Sequence, residues 1–317
     1  MRFIDMHCDT LYALEKHRDY QLRSNNLHID LLKMKESHYL LQNFAIFTDI
    51  ASDKDPEFHV LRCIDIFYQE MEKNKDLIAP ITSYAQIIEN NLHNVMSAML
   101  TLEEGAVINH DLALLRNYYR LGVRMIALSW NHENGITHPN FKNKTGYHTF
   151  NNEGLTDFGK EYIKEMDRLG IIVDVSHMSD GCFYDVANII KGPFVASHSN
   201  ARSLCDHARN LTDDMIKVIA DHNGVIGINF ADGFLAENAS QSLIDDMIRH
   251  ILYIRDLVGI NYIGLGSDFD GISCPLEIKN ASYMPLLYQR LKEYLSYEDI
   301  QKILYKNVLR VYQEVLK

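Results

Sequence analysis

Residues 154–177 read Gly154-Leu155-Thr156-Asp157-Phe158-Gly159-Lys160-Glu161-Tyr162-Ile163-Lys164-Glu165-Met166-Asp167-Arg168-Leu169-Gly170-Ile171-Ile172-Val173-Asp174-Val175-Ser176-His177, which is one helix followed at once by one strand. Thr156 is placed to cap the helix, and Phe158, Tyr162, Ile163, Met166 and Leu169 share one of its faces. Gly170 ends it, and Ile171 opens a strand within one residue. That strand is apolar almost throughout, as a parallel strand buried on both faces must be, and it delivers His177 at its carboxyl end.

The same unit recurs along the chain. Candidate strands are Arg2–His7, Leu40–Phe47, Ser97–Glu103, Arg124–Ser129, Ile171–Ser176, Phe194–His198, Val225–Phe230 and Tyr262–Asp268, eight in all. Between them lie helical patterns. Ser242–Val258 carries Leu243, Met247, Ile248, Ile251, Ile254 and Leu257 and stops at Gly259. Ser296 with Asp299 forms a capping-box pattern ahead of a terminal amphipathic helix bearing Ile300, Ile303, Leu304, Val308, Val311 and Val315. Alternating strands and helices give a parallel α/β fold, and eight repeats favour a closed (β/α)8 TIM barrel with a C-terminal amphipathic helix. An open doubly wound sheet is the alternative. It would place a Gly-rich phosphate turn after the first strand, where His7-Cys8-Asp9-Thr10 stands instead. No repeat, low-complexity tract or linker interrupts the 317 residues, which read as one domain. The terminal helix packs either on its own barrel or on a second copy, as a homodimer.

Composition narrows the function. A hydrophobic fraction of 47% and a charged fraction of 23% are those of an ordinary globular protein. The net charge of −12 argues against nucleic acid or an anionic membrane as partner. No run of about 18 apolar residues predicts a transmembrane helix, and no signal peptide is read at the amino terminus. The five cysteines (Cys8, Cys63, Cys182, Cys205, Cys274) are odd in number and contain no C-x-x-C pair, so reduced thiols in a cytoplasmic protein are expected.

In a barrel of this kind, function sits at the carboxyl ends of the strands. There the chain places His7 and Asp9, Glu103, His177, His198 and Asp268. In extended chain His7 and Asp9 face one side and Cys8 the other. Taken singly, each histidine is more readily a structural residue and Asp9 a helix cap. Together they form a nitrogen and oxygen set suited to zinc. Glu103 has two oxygens and can join two metal sites, whereas Glu104 reads as a surface residue opening a loop. Asp268 is a candidate proton shuttle, and Asp270 a turn or cap residue.

These residues resemble the renal, or membrane, dipeptidase family of zinc peptidases, within the wider set of metal-dependent amidohydrolase barrels. The resemblance rests on Asp5-Met6-His7-Cys8-Asp9-Thr10, Leu102-Glu103-Glu104-Gly105, the stretch from Gly154 to His177, Ser197-His198-Ser199, Arg209-Asn210 and Gly266-Ser267-Asp268-Phe269-Asp270-Gly271. It implies two zinc ions per chain, one on His7 and Asp9 and one on His177 and His198. Glu103 would bridge them, Asp268 would stand beside the water, and Arg209 would bind the substrate carboxylate. The implied activity is hydrolysis of a dipeptide, including those with a carboxyl-terminal D-residue, by metal-bound hydroxide.

The chain departs from the pattern in two places. Where relatives close to the animal enzymes carry a substrate-contacting His after the fourth strand, Trp130 stands, with His132 two residues on as the other candidate. Glu104 replaces a more usual Gly. The polar segment 131–154 reads as a lid or binding loop, and Arg202 as a second carboxylate ligand. Because fold and metals do not fix substrate, an N-acyl amino acid deacylase or a lactonase is the rival enzyme reading. A non-catalytic ligand-binding barrel is the reading from another class.

Overall fold

The computed structural model describes residues 1–17, 19–140 and 150–316. Its strands are β1 (Phe3–Asp5), β2 (Tyr39–Phe47), β3 (Ile78–Ile81), β4 (Met96–Glu103), β5 (Val123–Ala127), β6 (Ile172–Asp174), β7 (Val195–Ala196), β8 (Val225–Ile228) and β9 (Ile263–Leu265). They pair in parallel in the order β1-β2-β4-β5-β6-β7-β8-β9. The ring closes where Met6 N donates to the Leu265 carbonyl at 2.9 Å, and the seam continues above through Asp268 N to His7 O at 3.2 Å. This is the (β/α)8 barrel that the eight apolar runs predict.

β3 is the strand that the pattern does not announce. It pairs with Met96–Met99 of β4, while β5 takes Leu100–Glu103 on that strand. Four residues containing Pro80 suit such a one-sided position, because proline removes a ladder donor. It lies at the amino end of β4, away from the strand ends that carry the candidate site residues.

The capping residues act as their types require. Thr156 Oγ1 accepts from Gly159 N, and Gly170 adopts φ 76°, a left-handed stop open to glycine. Ser296 Oγ accepts from Asp299 N at 3.1 Å. The helix expected from Ser242 begins at Ile244 and leaves Leu243 exposed.

The terminal helix covers the barrel floor. It includes a π-helical turn at Lys302–Lys306, after which Val308, Val311, Tyr312 and Leu316 pack among Ile4, Met6, Leu41, Met99, Met125, Ile172, Val195 and Val225. The Tyr312 hydroxyl is hydrogen-bonded to the Asn43 side chain inside this cluster. The apolar face is therefore spent on the chain's own barrel, which leaves the opposite, carboxyl end of the strands as the open mouth.

β6, β7 and β9 leave the ladder before the predicted strand ends. His177 and Asp268 take φ 70° and 63°, which extended pairing cannot accommodate. Each strand thus ends two or three residues before its candidate side chain, His177, His198 or Asp268.

Candidate active site

Six side chains from five strand ends, those of β1, β4, β6, β7 and β9, converge at the mouth. Glu103 is central. Its Oε2 is 3.3 Å from His7 Nε2, itself 3.4 Å from Asp9 Oδ2. Its Oε1 is 2.9 Å from His177 Nε2 and 3.7 Å from His198 Nε2. One carboxylate oxygen therefore serves each donor pair. The pairs are adjacent, because the His7 and His198 rings stack with centroids 3.9 Å apart.

The surroundings fix which ring nitrogens carry protons. Ser197 Oγ donates to Asp174 Oδ2 at 2.5 Å, so it accepts from His198 Nδ1 at 2.7 Å. Asp174 is held in turn by the backbone amides of Ser176 and Ser197. Asn131 Oδ1 accepts from His177 Nδ1 at 3.1 Å. Both rings then turn an unprotonated Nε2 inward, and these two nitrogens are 3.0 Å apart. Two lone pairs facing each other in a buried site suit a shared cation. So does the other side of Glu103, where His7 Nε2 and Asp9 Oδ1 are buried and make no hydrogen bond among the described residues.

The electrostatics agree for His177 and His198, whereas at His7 burial is outweighed by Glu103 and Asp9, which hold its ring well above the usual imidazole range. Burial, followed by the charges of His7 and Arg209, holds His198 well below the usual imidazole range. Burial and then Arg209 lower His177 as well, so both rings are neutral, as metal ligation requires. Burial opposes charge on Glu103, but interactions led by the charge of His7 outweigh it and hold the carboxyl well below its normal range. Burial pushes Asp9 up to about 7 despite His7 beside it. A bound cation would relieve that penalty. The donor set fits a pair of divalent ions.

Asp268 completes the cluster from β9. Its Oδ2 accepts from Asn229 Nδ2 at 2.9 Å, while Oδ1 lies 3.9 Å from His7 Nε2 and faces the donors. Gly271 lets the following loop lie against this pair, since a Cβ there would collide with carboxylate oxygens of Asp9 and Asp268. Asp270 is a tie, accepting from Thr10 Oγ1 and His28 N at 2.6 Å each. Cys8 points away from the donors, toward Asn43 O.

Three sequence expectations change. Glu104 is fully buried rather than on the surface, and accepts from Ala106 N, Trp130 N and Asn134 Nδ2. Burial pushes its carboxyl up to about 7. It thereby anchors the segment that presents Trp130 and Asn131. Arg202 makes a bidentate clamp on Asp180 instead of lining the cavity. His132 stands outside the cavity wall, 3.3 Å from Asp49, whereas Trp130 is in that wall, edge-on to Phe47.

The cavity over the cluster holds about 380 Å3 and is lined by Glu103, His177, Asp268, Trp130 and Arg209, among others. Arg209 is almost fully buried, and its Nη2 donates to the His198 carbonyl at 3.3 Å. Within the expected lid, 131–154, Asn140 donates to the Ala208 carbonyl and accepts from Asn151 N, and residues 141–149 lie outside the described residues. Asn131, Asp174, Ser197 and Asn229 brace the candidate site residues, a role that the sequence does not announce for them. The available signal was a polar residue interrupting or closing an apolar strand, as in Val173-Asp174-Val175 and Ile228-Asn229-Phe230.

Comparison with known proteins shows the family. The model of the family described as membrane dipeptidase (peptidase family M19) matches residues 1–317. An uncharacterized dipeptidase of Schizosaccharomyces pombe is 31% identical over 99% of this chain and 80% of its own. A crystallised dipeptidase described as a metallopeptidase superposes with a TM-score of 0.92 at 25% identity, covering 100% of this chain and 99% of its own. A metallopeptidase from Rhodobacter sphaeroides, solved with a phosphinate mimic of L-Ala-D-Ala, gives 0.91 at 24% identity with the same coverage. No helix among the described residues is long and apolar enough to cross a membrane.

Proposed function

The chain belongs to the membrane dipeptidase family of peptidases, and from that membership and its donor cluster we propose that it hydrolyses dipeptides with two zinc ions, accepting a D-residue at the carboxyl end. The observation that carries this reading is Glu103, whose two carboxylate oxygens each face a separate donor pair. His7 and Asp9 would hold one ion, His177 and His198 the other, and Glu103 both. When bound, the ions supply Lewis acidity, acidifying a water toward neutral pH and polarising the scissile carbonyl.

The remaining work falls to side chains. Asp268, tethered through one oxygen by Asn229, uses the other to take a proton from the attacking water. It returns that proton to the departing amine. Arg209 forks its guanidinium onto the substrate carboxylate through two parallel hydrogen bonds. Trp130 forms an apolar wall for a side chain. The unpaired state of all five cysteines suits a cytoplasmic location.

The test is amine release from L,L- and L,D-dipeptides, run beside N-acyl amino acids and lactones. Activity should be lost on chelation and regained with about two zinc ions per chain. A zinc-loaded protein that cleaves acylated amino acids or lactones but no dipeptide would discard the substrate assignment. Arg209→Ala should lower kcat/KM by about 10- to 100-fold for carboxylate-bearing dipeptides, chiefly through KM. An equal loss on carboxyl-amidated dipeptides would remove Arg209 from that role.

A further inference from the structure

The sequence assigns no chemistry to the end of the second strand, yet Asp49, two residues beyond β2, lines the same cavity as Arg209. In the ring order β1-β2-β4-β5-β6-β7-β8-β9, β2 is second and β7 sixth, so the two are opposite each other in an eight-stranded barrel. Arg209 belongs to the loop after β7 and bonds the carbonyl of His198 at the end of that strand. An acid and a base thus stand on opposite walls of one cavity, whose lining also includes Glu103 and Asp268.

Asp49 differs from the other carboxylates of the lining. Asp9, Glu103 and Asp268 belong to the donor cluster, and Asp270 has both oxygens occupied by Thr10 and His28. Asp49 is positioned by a turn, Oδ1 accepting from Ala51 N at 3.0 Å and Oδ2 from Ser52 Oγ at 2.8 Å. His132 Nε2 stands 3.3 Å from Oδ1, and its ring leans on Trp130, with centroids 5.3 Å apart. Among the described residues no Lys or Arg pairs with it, and its side chain is 25% exposed. A carboxylate offers about four acceptor positions, so these three partners leave one for a ligand.

We propose that Asp49 is the anchor for the free α-amino group of the substrate, so that Asp49 and Arg209 together select a zwitterion with charges at its two ends. This rests on the dipeptidase reading and sharpens it. A peptide with a free amino group is favoured, and an N-acylated amino acid, which has no cation to offer Asp49, is disfavoured. His132 then has a role outside the cavity wall, as a positioning residue that braces the carboxylate from behind.

The experiment compares the zinc-loaded wild type and Asp49→Asn on a dipeptide and on its des-amino counterpart, which lacks only the α-amino group. Asparagine keeps the shape and an oxygen for the Ala51 amide. The expected result is a fall of about tenfold or more in kcat/KM for the dipeptide, carried mainly by KM. The des-amino substrate should be unchanged, so the preference for the amine collapses. If D49N does not fold, Asp49→Ser keeps a hydroxyl for the turn and permits the same comparison. A preference ratio unaltered by the substitution overturns the Asp49 assignment while leaving the dipeptidase reading intact. Cleavage of neither substrate by the wild type overturns both.

Discussion

Glu103→Gln should cut zinc content from about two ions per chain to one or fewer and reduce kcat/KM by at least on the order of a thousandfold. Glutamine nearly preserves volume, so the loss reports on charge and donor atoms rather than packing. The carboxylate offers one oxygen to His7 and Asp9 and the other to His177 and His198. An amide can present only one oxygen, and its NH2 group would face a cation with the wrong polarity. It also removes the anion that offsets two divalent charges in a buried site, where several kcal/mol of transition-state stabilisation depend on the ions. A readout independent of turnover is available. Zinc should raise the melting temperature of the wild type by mass action, and should do so far less in E103Q. Full zinc occupancy with near-normal turnover in E103Q would sink the bridging assignment.

Why the donor atoms were legible while their supports were not follows from the barrel. A closed parallel barrel aims the ends of its strands at one place, so His7, Asp9, Glu103, His177, His198 and Asp268 meet once eight apolar runs have been recognised. Asp174 is different. Its partner Ser197 is set by the pairing of Asp174 with Val195, a register that neither strand's sequence states alone. Asn131 and Asn229 likewise reach His177 and Asp268 across neighbouring strands. β3 escaped because four residues including a proline carry little periodicity. Glu104 was misread because its burial depends on a loop folding back, with Gly105 N bonded to Leu128 O and Asn134 closing over the carboxylate. His132 and Trp130 could not be ranked from spacing. Trp130 belongs to the wall because its ring packs edge-on to Phe47, leaving His132 to turn toward Asp49.

Asp268→Asn should leave zinc content and KM close to the wild type while lowering kcat by roughly a hundred- to ten-thousandfold, the range typical of losing a general acid or base. The geometry permits so selective an effect. Asp268 Oδ1 is 3.9 Å from His7 Nε2, at the margin of the donor set, so it contributes less to holding an ion than Glu103 does. Its Oδ2 accepts from Asn229 Nδ2, and an asparagine oxygen can keep that bond. The substituted side chain would then present its NH2 toward the site, unable to take a proton from water. Asn229→Ala should act in the same direction but more weakly, because it frees the carboxylate without removing its basicity. A large loss in D268N with a small one in N229A assigns proton transfer to Asp268 and positioning to Asn229. Loss of zinc in D268N would instead make Asp268 a ligand first, and near-normal kcat with zinc retained would exclude it from the proton path.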